Sequence, residues 1–277
     1  MKVLLHGCYG KMGRVMARVI GETPDTVIVC GVDRAVQSGI DTAAPGKAPG
    51  ALRPADVSLP AGDYPVYASL SDVPPSLAGS VDVLIDFSHH SALDDVLAFG
   101  TEWRVPLVIC TTGFSPEQKA RMQAASAQTA ILNSANMSLG VNLLLSLVKQ
   151  AAALLSDTFD IEIVEKHHNQ KVDAPSGTAL MIADAINEAL EGQKEYVFGR
   201  HSKTERRKKQ DIGIHAVRGG AIVGEHSVIF AGQGEVVEVN HTALSRDVFA
   251  YGAVKAASFL AGRKSGLFSM KDVIESR

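Results

Sequence analysis

The opening of the chain constrains its fold more than any other stretch. Val3, Leu4 and Leu5 form a short apolar run, Gly7, Gly10 and Gly13 follow, and Val15, Met16, Val19 and Ile20 then recur at helical spacing. Strand, glycine turn, helix is the start of a nucleotide-binding βαβ unit. Glycine lets the backbone approach a pyrophosphate, and the helix start offers N–H groups and the positive end of its dipole. The spacing here is G-x-x-G-x-x-G, with Tyr9 where a glycine is expected. Context therefore has to carry the assignment. A second apolar run, Val27–Cys30, leads into Gly31-Val32-Asp33-Arg34, and Asp33 stands 20 residues beyond Gly13, where the acidic partner of an adenosine ribose belongs. Asp33 favours NADH. Arg34 beside it, helped by Lys11, suits a 2′-phosphate and leaves NADPH open.

The rest of the first half repeats the alternation. Residues 35–65 are rich in Pro, Gly, Ala and Asp without periodicity and read as a long loop, with a short strand at Val66–Ala68. Val81–Phe87 and Pro106–Cys110 read as buried parallel strands, and Ala130–Leu132 as another, ending at Asn133 to Met137. Helices fill the gaps, one of them capped by Ser115-Pro116-Glu117 and running to about Ala127. His89 and His90 either line the cleft at a strand end or start the next helix. This order predicts a doubly wound parallel α/β sheet of Rossmann type.

A second stretch, Glu165 to Leu180, concentrates chemistry. An alternating apolar run (Ile161, Ile163) ends there, and a helix opens at Pro175-Ser176-Gly177-Thr178 with Ala179, Ile182, Ala183, Ile186 and Leu190 on one face. His167, His168 and Lys171 lie between. Cations and helix N-terminal N–H groups in one small volume make a receptor for an anion, with a proton donor beside it.

Residues 138–155 are apolar on most faces, yet Asn142 and Lys149 interrupt them, so a helix buried between domains fits better than a membrane span. Ile212–Val217, Ala221–Phe230 and Glu235–His241 predict an antiparallel meander, which needs a cover on one face and so suits subunit packing. Arg206-Arg207-Lys208-Lys209 lack interleaved aromatics in a chain of net charge −3, so an exposed loop is expected there rather than a nucleic-acid contact. Cys8, Cys30 and Cys110 show no metal-ligand spacing, so no metal is expected and a reduced cytoplasmic setting is the default. Phe249, Ala253, Ala256 and Leu260 mark a last helix, and Gly266 to Val273 returns to the first domain. The expected division is residues 1–134 with 244–277 for the dinucleotide, and 135–243 for substrate and oligomerisation, as an α+β domain with a largely antiparallel or mixed open sheet.

Several segments together resemble one family, the 4-hydroxy-tetrahydrodipicolinate reductases of diaminopimelate and lysine biosynthesis. They are Gly7–Gly13, Cys110–Gly113, Asn136–Gly140, His167–Thr178, Arg218–His226 and Gly266–Phe268. The resemblance implies reduction of a small cyclic dicarboxylate by NADH or NADPH in a homotetramer. It implies that His167 is the catalytic proton donor or acceptor and Lys171 a second donor. His168, Gly177 and Thr178 would bind the substrate's carboxylates. Gly7, Cys8, Tyr9, Gly10, Lys11, Met12, Asp33, Cys110, Thr111, Thr112, Ser134, Ala135, Asn136 and Met137 would contact the cofactor, with Arg34 beside them. Cys110 departs from the family's usual glycine, and His89 from a frequent arginine, which weakens the case for a strict NADPH preference. Two other readings remain: a related dehydrogenase of another small amino or semialdehyde acid, and a non-catalytic dinucleotide sensor.

Overall fold

The computed structural model describes residues 1–38 and 64–276. Most of the expected 35–65 loop lies outside the described residues; its first residues form a 3-10 turn, Arg34–Ser38. The chain divides into two units, Met1–Met137 with Asp247–Arg277, and Ser138–Arg246.

The first unit is built on a parallel sheet. Its strands are β1 (Lys2–His6), β2 (Val27–Val32), β3 (Val66–Tyr67), β4 (Val83–Asp86), β5 (Leu107–Ile109), β6 (Ala130–Asn133) and β12 (Gly266–Phe268). They lie in the order β12-β6-β5-β4-β1-β2-β3, and every neighbouring pair is parallel. That is the doubly wound order, extended at one edge by the returning β12. Its direction of winding reverses between β1 and β4, where ligands of such sheets collect. The strands are short and almost wholly apolar because both faces are covered. Helices α1 (Lys11–Glu22), α2 (Pro75–Ala78), α3 (Leu93–Trp103) and α4 (Pro116–Ala125) belong to this unit. Ser115 caps α4 with Pro116 at its first position, as the sequence predicts, and Gln118 completes a reciprocal capping box.

The second unit carries α5 (Leu139–Leu155) and α6 (Gly177–Ala189) on one face of a five-stranded sheet. Its strands are β7 (Asp160–His167), β8 (Glu195–Phe198), β9 (Asp211–Arg218), β10 (Gly224–Ala231) and β11 (Val236–Ala243), in the order β11-β10-β7-β9-β8. The expected meander is not what forms. β10 and β11 are an antiparallel hairpin, but β9 pairs parallel with β7 and β8, and β7 separates β9 from β10. Ile161 and Ile163 face α5 and α6 together with Ile212, Ile214, Val228 and Phe230. Placing β7 centrally buries its apolar face between neighbours on both sides, which a meander would leave at an edge. Helices α7 (Asp247–Leu260) and α8 (Met270–Glu275) return to the first unit.

Two further stretches differ in part from expectation. The buried residues of α5 pack on the sheet of its own unit, while Leu143, Leu147 and Leu154 are exposed. Arg206, Lys208 and Lys209 are exposed in a loop, as expected, but Arg207 is half-buried: it bonds Asp160 at 2.8 Å, Glu162 at 2.9 Å and the carbonyls of Ile161 and Asp211. It staples the strand-poor stretch before β9 to the start of β7.

Candidate active site

In the first unit, the glycine loop leaves the carboxyl end of β1 and enters α1. Gly7 has φ +76°, and a Cβ there would lie 2.7 Å from the Phe87 carbonyl. A Cβ on Gly13 would lie 2.1 Å from the Gly7 carbonyl, so α1 approaches the loop closer than any side chain permits. This is a cradle that only glycine leaves open for a phosphate. A pocket of about 560 Å³ beside it is lined by Gly7, Tyr9, Gly10, Asp33, Arg34 and His89, among others. Asp33 is fixed there: Oδ2 accepts from the Tyr9 N–H at 2.8 Å and Oδ1 from the Ala35 N–H at 3.0 Å. The loop and the acidic residue are therefore one hydrogen-bonded object. His89 does both things expected of it, lining this pocket and capping the turn His90–Ala92 before α3.

The other proposed cofactor residues are placed less uniformly. Lys11 and Met12 open α1 and do not line the pocket. The Cys8 side chain is buried, its Sγ 2.8 Å from where a Cβ on Gly31 would stand, and burial pushes its thiol up. Cys110, Thr111, Thr112 and Ser134, Ala135, Asn136, Met137 follow β5 and β6, at the same carboxyl edge of the sheet but outside that pocket. Thr111 donates to Asp86 at 2.7 Å, and His6 Nδ1 lies 3.0 Å from the other oxygen of Asp86, all three side chains being buried. Burial alone would raise the Asp86 carboxyl; His6, Ser88 and Thr111 outweigh it and hold the group low. Sequence reading missed this cluster, although an aspartate closing an apolar strand is its signal.

In the second unit, His167 is the last residue of β7 rather than a loop residue. Strand alternation turns Ile161, Ile163, Glu165 and His167 to the covered side. Glu165 is fully buried and is the hub of the site. Its Oε2 accepts from His167 Nδ1 at 2.6 Å, its Oε1 from the Ser176 N–H at 2.9 Å, and Arg218 donates to both oxygens at 2.7 Å each. Burial would push this carboxyl up, but Arg218, His167 and the Ser176 N–H together hold it below its ordinary range. Ser176 caps α6 by accepting from the Ala179 N–H, and its hydroxyl meets His226 Nε2 at 3.1 Å. The His226 ring stands edge-on to His167 with centroids 5.2 Å apart. Burial first, then the His167 charge, lower His226 to about 4, so it is neutral near pH 7.

The residues expected to receive an anion gather around the same helix start. Lys171 Nζ pairs with Asp173 at 2.8 Å, and the Asp173 carboxyl is held low first by Lys171 and also by the Gly177 N–H. The chain's own carboxylate thus already uses donors assigned to a ligand. Space is open where a Cβ on Gly177 would stand, and Thr178 follows in the first turn. His168 Nδ1 is buried and has no hydrogen-bond partner among the described residues. Glu165, Arg218, Gly224 and His226 were given no chemical role from sequence. The available signal was Glu165 itself, an acid at an inward position of an alternating strand, which demands a buried cation.

A doubly wound sheet with a glycine phosphate cradle, joined to a unit that holds an anchored imidazole beside an anion-binding helix start, defines an oxidoreductase that uses a nicotinamide cofactor. The N-terminal part of the dihydrodipicolinate reductase family matches residues 1–137 and the C-terminal part residues 140–274. The chain belongs to the dihydrodipicolinate reductase family. It is 50% identical to the 4-hydroxy-tetrahydrodipicolinate reductase of Caldanaerobacter subterraneus subsp. tengcongensis over 275 residues, covering 99% of this chain and 98% of that one. It is 43% identical to the enzyme of the same name from Clostridium tetani, covering 100% and 98%. Among solved structures it is similar in fold to a dipicolinate-bound dihydrodipicolinate reductase from a Paenisporosarcina species, with TM-score 0.76, 24% identity and 97% of both chains covered. Among the described residues no group of side chains could hold a metal ion, and no helix is long and apolar enough to cross a membrane.

Proposed function

We propose that this chain reduces 4-hydroxy-tetrahydrodipicolinate to tetrahydrodipicolinate, with loss of water, in diaminopimelate and lysine biosynthesis. The observation that carries the reading is the Glu165 carboxylate, which holds His167 and the start of α6 by one hydrogen bond each, 2.6 and 2.9 Å long. A proton-carrying group and an anion receptor are thereby fixed to one another, as a ring with two carboxylates and a conjugated imine requires.

On this reading His167 exchanges the proton and Lys171 is a second donor facing a carboxylate. His168, Gly177 and Thr178 grip the carboxylates, and the unpartnered nitrogen of His168 supports that role. The nicotinamide supplies the hydride. Gly7, Gly10, Lys11 and Met12 would hold the pyrophosphate region, with Cys8 and Tyr9 contributing backbone. Thr111, Thr112, Cys110 and Ser134 to Met137 would approach the nicotinamide end. Asp33, anchored by two N–H groups beside the pocket, repels a 2′-phosphate, so NADH is favoured, with Arg34 allowing NADPH as the weaker cofactor. The sheet face of the second unit turned away from α5 and α6 carries Val164, Val217, Ile229 and Val236, of which Val217 and Val236 are exposed; this supports a homotetramer built through that face. A cytoplasmic setting would keep the free Cys8, Cys30 and Cys110 reduced.

The test is a coupled assay with the synthase product and either reduced cofactor, following loss of cofactor absorbance. Turnover with a higher initial rate on NADH is expected, and no turnover with either cofactor removes the proposal. In the same assay His167→Gln should lose about a hundredfold or more in turnover while cofactor binding survives, since positioned proton transfer contributes about 10²–10⁴-fold.

A further inference from the structure

We infer that Glu165 is the positioning residue that sets which nitrogen of His167 exchanges the proton, and that it ties this nitrogen to the anion-binding end of α6. The inference rests on the functional reading above and deepens it.

A carboxylate with no exposure is tolerated only when its lone pairs are matched. Glu165 has four donors for its four acceptor sites: two from Arg218, one from His167 and one from the Ser176 backbone. No donor is spare, so none can be lost without leaving the charge short. An ionised carboxylate can only accept, so the proton in the 2.6 Å contact sits on Nδ1 of His167. The neutral ring then has its lone pair on Nε2, and Nε2 is the atom that takes and returns a proton. Gly224 agrees with this assignment. A Cβ there would lie 3.0 Å from His167 Nε2, and its absence leaves that nitrogen room.

The same two oxygens reach three separate segments: the end of β7, the cap of α6 and the end of β9. The pair with Arg218 also matters electrostatically. It neutralises the carboxylate, which would otherwise repel a dianionic ligand at the neighbouring helix start. Arg218 further donates to the Asp173 carbonyl, so the loop between His168 and Ser176 is held from the same point. Imidazole and helix start therefore cannot shift independently.

The experiment uses the full chain with [15N]histidine. Ring nitrogen shifts of His167 in wild type, at a pH where the ring is neutral, should show hydrogen on Nδ1 and a lone pair on Nε2. Glu165→Gln keeps the shape but gives one carbonyl oxygen in place of two carboxylate oxygens, so Arg218 faces an NH2 group in either orientation, together with His167 in one and the Ser176 N–H in the other. That variant should show a mixture of tautomers and a turnover about 10–100-fold lower, the usual scale for losing an orienting partner, with NADH affinity unchanged. Glu165→Asp keeps the charge but is one methylene short; it should retain the tautomer less completely than wild type and turn over less. Wild-type turnover in Glu165→Gln with an unaltered tautomer would overturn the inference. If that variant does not fold, the wild-type spectrum decides alone, because hydrogen on Nε2 of the neutral ring overturns it equally. Absence of turnover in wild type would instead remove the functional reading, while the tautomer result would stand on its own.

Discussion

The two candidate sites of this molecule are built in different ways. In the first unit the main chain forms the site: Gly7 and Gly13 clear space, backbone N–H groups orient Asp33, and the helix start points at the opening. In the second unit side chains do most of the work around a helix start: one buried glutamate, one arginine, three histidines and a lysine, drawn from three strands and the loop that leads to a helix cap. A main-chain site is written in adjacent residues and survives most side-chain changes. A side-chain site tolerates small shifts of backbone but depends on complete pairing of a buried charge.

The comparison can be broken by adding the same methyl group to each site. Gly13→Ala places a Cβ 2.1 Å from the Gly7 carbonyl and 2.7 Å from the Cys8 backbone, and neither can yield. Cofactor affinity should fall by more than about a hundredfold, measured by calorimetric titration, as expected for an overpacked backbone contact. Affinity within threefold of wild type would show that α1 can retreat.

The charge pairing of the second site is sharpened by acid. His226 has a folded value of about 4 against 6.5 for the free group. Between those values the unfolded chain binds a proton that the folded one refuses. Stability from this group is complete above about pH 6.5 and declines as pH falls towards 4, by about 3 kcal/mol in all. The groups facing His226 are His167, Glu165, His241 and Lys171, and Glu165 contributes its own loss only further down, because its carboxyl is held low. Amide exchange in β7 and β10 should quicken over that range in wild type and less in His226→Gln, where His241, also lowered by burial, still titrates; equal slopes would mean that His226 is solvated.

Gly224→Ala should have the smallest effect of the three. The new methyl would press on an imidazole that can move by a few tenths of an ångström, so turnover should fall about tenfold with cofactor affinity unchanged. Full activity would show that Nε2 works from another side.

These differences also explain what could be read from the residues in order. The first sheet was legible because each strand, glycine turn and helix is local, and alternating elements allow few windings. The carboxyl-edge residues followed from that winding. The second sheet was legible in its strands but not in their pairing. Ile212–Val217 and Ala221–Phe230 look like neighbours across Arg218-Gly219-Gly220, yet β7 lies between them. Period-2 patterning gives a strand its faces and says nothing about its partners. His167, Lys171 and the helix start were visible as a cluster within one short stretch. Arg218 and His226 were not visible as site residues, because only the parallel pairing of β7 with β9 and the antiparallel pairing with β10 bring them to Glu165. The His6–Asp86–Thr111 cluster escaped for the same reason, being made across three strand ends.

The contact between Lys171 and Asp173 has a consequence for how a guest enters. The ammonium is not waiting alone in solvent; it already has an anionic companion two residues away. An incoming carboxylate must therefore exchange with that companion, and its net attraction is the difference between two similar pairings. Such an exchange discriminates by reach and shape, because a single acid gains little from swapping one pairing for another, whereas a rigid diacid can also occupy the amides at the helix start.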